Sequence, residues 1–147
     1  PIKSSAASDV YKRQMLQSKN CYKGCFVYGT LKKPVTAKEV KYLNAFLKET
    51  HPNSKIIAVD AAVGAAGDIG LIKINNKGLK PGLGANKKLP AVGDVSIMGI
   101  VAEKSLFNYS LLNLTRLNLV YKMSDIISDS LATFLMNAHK TSMRQVI

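Results

Sequence analysis

Tryptophan is absent from this chain of 147 residues, and cysteine occurs only twice. Cys21 and Cys25 cannot form a disulfide framework that staples a fold. With no histidine nearby and only two ligands, they also make a poor zinc site. No apolar run reaches the ~18–20 residues that span a bilayer, and no basic-then-apolar signal segment opens the chain. The expectation is a protein off the membrane, in a reducing compartment. Acidic residues are scarce too. Nine stand against 21 lysines and arginines, for a formal net charge of +12. Lysine supplies most of that charge, since Arg13, Arg116 and Arg144 are the arginines. Scattered lysines attract phosphate without the geometric discrimination of an arginine fork. They read as a solvated surface. No RNA-binding signature, zinc finger or basic helix with interleaved aromatics supports nucleic acid as a partner.

The standard ligand loops are also missing. Lys87 and Lys88 follow Gly82 and Gly84 in "KPGLGANKK". Neither G-x-x-x-x-G-K-[ST] nor G-x-G-x-x-G is present, so these glycines read as turn residues. There is no G-x-S-x-G elbow. His51 and His139 stand without a motif around them. No cofactor and no metal is implied.

What is present suits one α/β domain, since nearly half the residues are hydrophobic and the length fits a single core. Residues 1–14, "PIKSSAASDVYKRQ", stand apart and show no hydrophobic period. "DVYKRQ", encoded as GAT-GTG-TAT-AAG-AGA-CAG, resembles the mosaic end of a transposon adapter. The expectation is an assembly artefact over 1–14, an α/β domain over 15–138 and a tail over 139–147. Excluding Lys3, Asp9, Lys12 and Arg13 lowers the net charge by only two, so the chain stays basic.

Lys23 to Thr30, "KGCFVYGT", reads as a buried strand. Thr36 and Glu39 form a capping-box pattern ahead of a helix with Val40, Leu43 and Leu47 on one face. "HPNS" ends that helix, because the residue before a proline is biased to extended backbone. "KIIAVDA" is a continuous apolar run, as expected of a strand covered on both faces. Strand, helix and strand in this order suggest a right-handed βαβ unit. "DIGLIKINN" and "DVSIMGIVAE" read as further strands. From Ser105 the chain turns helical, with Leu119, Met123, Ile127, Leu131 and Leu135 recurring every fourth residue.

Asp60 is the one carboxylate in the "KIIAVDA" run. It is placed at the strand's carboxyl end, where sites form in open α/β sheets. Gly29, Thr30 and the loop after Ile74 are expected at such ends as well. A loop cap, a metal ligand, and an acid or base all remain open for Asp60 on the residues alone.

Four segments occurring in order resemble the YyaC-type sporulation proteins, relatives of the germination protease of spore-forming Firmicutes. They are "VYGTLKKPV", "IIAVDAAVG", "GLKPGLGANKKLPAVGDVSIMGIV" and "NLTRLNLVYKMSDIIS". The resemblance runs from about Met15 to about Leu131. It implies a mainly parallel or mixed sheet flanked by helices, as in the germination and hydrogenase-maturation proteases. It also implies a peptidase-like hydrolase acting through two acids. Asp60 matches one of them. The other belongs to a G-D-x-L-G-P-like loop after a first strand, and the adapter-like segment occupies that place. The implied site is Asp60 as catalytic acid, with Gly29, Thr30, Ala61, Pro81, Gly82 and Gly84 lining it. The implied substrate is a small spore protein or peptide, in the cytoplasm of a sporulating cell or the spore interior. Lacking its acidic partner, the chain as written is expected to be inactive and marginally folded. A non-enzymatic sporulation binding module and a basic nucleic-acid-associated protein are the alternatives.

Overall fold

The computed structural model describes residues 25–29, 35–36, 39–81, 90–104 and 117–144. Helix α1 spans Val40–Thr50 and is followed by strand β1, Ile57–Gly64, and a 3-10 turn, Ala66–Asp68. Strands β2, Ile72–Asn75, and β3, Val95–Glu103, come next, and helix α2, Leu117–Arg144, completes the order. The strands form a mixed sheet in the order β1-β3-β2. β1 runs parallel to β3 and β2 antiparallel to it.

β3 is central because it is apolar on both faces: Ile97, Ile100 and Val101 are buried. Period-two alternation splits the sheet into two unlike faces. On one, Ala61 and Ile72 pack with Leu119 against a core of Val101, Val120 and Met123. α2 lies on this face, and its expected stripe is real, with Met123 and Ile127 buried. Ser124 and Ser128 are buried in the same helix and satisfy themselves locally. The Ser124 hydroxyl donates to the Val120 carbonyl and that of Ser128 to the Asp125 carbonyl. The helix continues through Arg144, beyond residue 138 where the sequence reading ends the domain.

α1 keeps half of its expected start. The Thr36 N–H donates to the Glu39 carboxylate at 2.8 Å, the return arm of a capping box, although regular helix begins only at Val40. That bond, with the Thr36 hydroxyl, holds the Glu39 carboxyl below its ordinary value. His51 ends the helix as expected, its N–H donating to the Leu47 carbonyl.

Three expectations need correction. Cys25–Gly29 form no strand. Phe26 stacks on His51 at 4.3 Å, and Tyr28 meets Phe46 edge-on while its hydroxyl pairs with His51 Nε2 at 2.5 Å. These rings anchor the segment beside the end of α1, so the expected βαβ unit is replaced by the parallel β1–β3 pair. The strand expected over "DIGLIKINN" begins only at Ile72, because Asp68 closes the 3-10 turn and Gly70 adopts a φ of +93°. β1 does not stop at Asp60 either. It continues to Gly64, since β3 offers ladder partners along that whole length.

Candidate functional site

Asp60 is the fourth of eight residues in β1, so it sits in mid-strand and not at the rim. Its register partner is Met98 on β3, and across Met98 lies Lys73 on β2. The three share one rung and one face. Below that rung, Ala58, Ser96 and Asn75 align in the same way, and above it Ala62 aligns with Ile100. The side chains beside Asp60 on its own strand and its diagonal neighbour Ser96 are therefore small. This face gathers polar side chains, Asp60, Ser96, Lys73 and Asn75, around Met98, whereas the α2 face is apolar.

Lys73 Nζ donates to Asp68 Oδ2 at 2.6 Å, both groups being roughly half to two-thirds covered. Asp68 reaches this face from the 3-10 turn, where its side chain lies against Gly64. Asp60 is half-buried, and among the described residues no hydrogen bond or ion pair engages its carboxylate. Ser96 is 2% exposed, and its hydroxyl likewise has no partner among the described residues. A hydrogen-bonding group left unsatisfied in a buried position costs about 1–3 kcal/mol. A half-buried carboxylate and a buried hydroxyl, both unengaged among the described residues, are the feature of this face that packing does not explain.

At the amino end of β1, Asp94 is occupied structurally. Its carboxylate accepts from the Ile56 N–H at 2.9 Å and meets Lys55 at 3.6 Å. The Ile56 N–H in the first place, with Lys55, holds the Asp94 carboxyl below its ordinary value.

The other expected site residues scatter. Ala61 faces the α2 core, because it alternates with Asp60 along the strand. Gly29 has a φ of +89° and follows the ring cluster around His51. Pro81 is buried, but it lies beyond the antiparallel β2, next to the Leu79–Val92 bridge. The reversal of β2 thus places Pro81 toward the amino ends of β1 and β3, not their carboxyl ends. Thr30, Gly82 and Gly84 lie outside the described residues. Lys73, Asp68 and Ser96 were not legible as site residues, since only register brings them to the face of Asp60.

Residues 14–130 match the family described as Protein of unknown function (DUF1256). The chain belongs to this family. It is 42% identical over 106 residues to a protein of Bacillus subtilis (strain 168) named "Uncharacterized protein YyaC", over 72% of this chain and 52% of that protein. The chain is thus of the YyaC type and spans about half the length of this curated relative. No solved structure matches it. The matched segment contains the whole described sheet, with Asp60, Ser96, Asp68 and Lys73.

Among the described residues, no three His, Cys, Asp or Glu side chains gather as a metal cage. No helix there is long and apolar enough to cross a membrane. What the face offers is one unengaged carboxylate, one buried hydroxyl and a lysine–aspartate pair. Chemically that set can bind water or a peptide group and accept a proton.

Proposed function

We propose that this chain carries one half of the acid pair of a sporulation peptidase related to the germination protease. The observation that carries the reading is Asp60: half-buried in mid-strand, without a partner among the described residues, in the "IIAVDAAVG" segment that resembles the protease's second acid. Taking a carboxylate partly out of water with no structural partner costs stability, and groups held at such a cost are candidates for chemistry.

In this reading Asp60 is the base. It takes a proton from water as the water oxygen bonds to the scissile carbonyl carbon. A second acid then protonates the amide nitrogen as the C–N bond breaks. Asp60 afterwards releases its proton, and the second acid regains one. Two carboxyls can divide these roles when their environments hold them in different protonation states. The second acid is the one expected upstream of Met15, in a G-D-x-L-G-P-like loop. The substrate class is a small spore protein, and the setting is the cytoplasm of the sporulating cell or the spore interior.

The test joins the native segment upstream of Met15 to this chain and offers small spore proteins. Cleavage is expected with the extended protein. Asp60→Asn should lower kcat by at least 10²-fold, the lower end of what a positioned acid–base group contributes. The 147-residue chain should not cleave. Activity that survives Asp60→Asn refutes the reading. Binding of the spore protein without cleavage by the extended protein favours a binding module instead.

A further inference from the structure

The polar face of the sheet holds more than Asp60. Ser96 stands one register step from Met98 on the same face, so it is the diagonal neighbour of Asp60 on the next strand. A strand spacing of ~4.8 Å and a rise of ~3.3 Å per residue put their Cα atoms roughly 8 Å apart. That is too far for two short side chains to bond directly. It is a span that one water bridges, provided there is room and at least two polar partners. Ala58 and Met98 border the Asp60–Ser96 diagonal, and the alanine, a single methyl group, leaves the space on its side of it. The two partners are the carboxylate and the hydroxyl. Neither is engaged by another side chain or backbone group among the described residues, and Ser96 is all but fully buried.

The alternatives for Ser96 do not fit as well. The buried serines of α2 return their protons to carbonyls of their own helix. Ser96 makes no such bond, because its hydroxyl meets no carbonyl among the described residues. If this position only had to be small, alanine would fill it without an unmet hydroxyl. Among the described residues, the charged group on the rung across Met98 is Lys73, and it is bound to Asp68.

We propose that Ser96 and Asp60 jointly hold one water molecule on this face, and that it is the hydrolytic water. The second half of that statement rests on the peptidase reading, whereas the shared water does not. Ser96 is then a positioning residue. Its hydroxyl fixes the water oxygen beside the carboxylate that accepts the proton.

Water–protein cross-relaxation NMR on the 147-residue chain tests the water itself. A long-lived water is expected beside Ser96 in the parent chain. It should be lost in Ser96→Ala and equally in Asp60→Ala, and retained in Ser96→Thr. A serine with a purely structural role would not respond to a change at Asp60. If the conservative Thr variant does not fold, Ser96→Cys takes its place, with a weakened signal expected. No long-lived water in the parent chain, or one that persists in Asp60→Ala, overturns the proposal. In the extended protein, Ser96→Ala should lower kcat about tenfold with KM unchanged, and Ser96→Thr should restore it. Reciprocal loss of the water without any peptidase activity in the extended protein leaves the water site standing and removes the hydrolytic role.

Discussion

Two glycines of this chain differ in what a single methyl group would meet, and the same substitution at each should move stability in opposite directions. Gly93 has a φ of +88° and precedes β3. A Cβ there would stand 3.0 Å from the Ile56 carbonyl oxygen and 3.2 Å from the Ala58 Cβ. Ile56 cannot simply yield, because its carbonyl accepts from the N–H groups of Asp94 and Val95 and its N–H donates to the Asp94 carboxylate. An L side chain in left-handed backbone costs about 1–2 kcal/mol. The contact with backbone adds to that, so Gly93→Ala should cost about 2–3 kcal/mol in total. Gly67 lies in the 3-10 turn, is not in the positive-φ region, and its Cβ would meet nothing within 4 Å. Gly67→Ala should therefore gain about 0.4–1 kcal/mol by narrowing the unfolded ensemble. Urea unfolding followed by circular dichroism reads both. With an m-value of about 1.5 kcal/mol/M, the midpoint for Gly93→Ala should fall by more than about 1 M while that for Gly67→Ala rises slightly. Equal midpoints for the two variants, or a smaller loss at Gly93, would refute the reasoning about the β1–β3 junction.

Met123 is 2% exposed at the centre of the contact between α2 and the sheet, so Met123→Ala should cost about 2–5 kcal/mol in the same assay. Asp94 gives a pH dependence whose sign follows from its lowered carboxyl value. A group with a depressed folded-state value contributes stability above its unfolded value, near 3.9, and loses it as pH falls through the folded value. Stability curves of the parent chain and Asp94→Asn should therefore lie apart at neutral pH and converge below about pH 4, and a constant gap across that window would contradict the assignment.

The helical part of the fold was largely legible. The four-residue stripe of α2 and the His51–Pro52 stop of α1 are local signals, and both hold. Strand existence over "KIIAVDA" and "DVSIMGIVAE" was legible from continuous apolar runs. The end of β1 was not, because the apolar run "KIIAVDA" ends at Ala61, whereas the ladder continues through Ala62 and Val63 to Gly64 along an available partner. The segment Cys25–Gly29 misled for another reason. Its aromatics suit a strand, but they pack on His51 and Phe46 instead. Asp60 was legible as a candidate, being one carboxylate in an apolar run. Lys73 and Ser96 were not, because their place beside it depends on pairings across a long connection. No local pattern encodes such a register.

The strand order β1-β3-β2 has a kinetic consequence. Asn75 pairs with Ser96 and Ile57 with Val95, so β2 and β3 close a much shorter loop than β1 and β3 do. Loop closure costs more entropy as loops lengthen, and non-local pairing slows folding. The β2–β3 hairpin can therefore form first, with Ser96 and Lys73 already in place on one side. Asp60 joins them only when β1 docks against the hairpin's outer edge. The polar face comes into being at that docking step, so a nascent or partly folded chain presents Asp60 without the neighbours that would give it work.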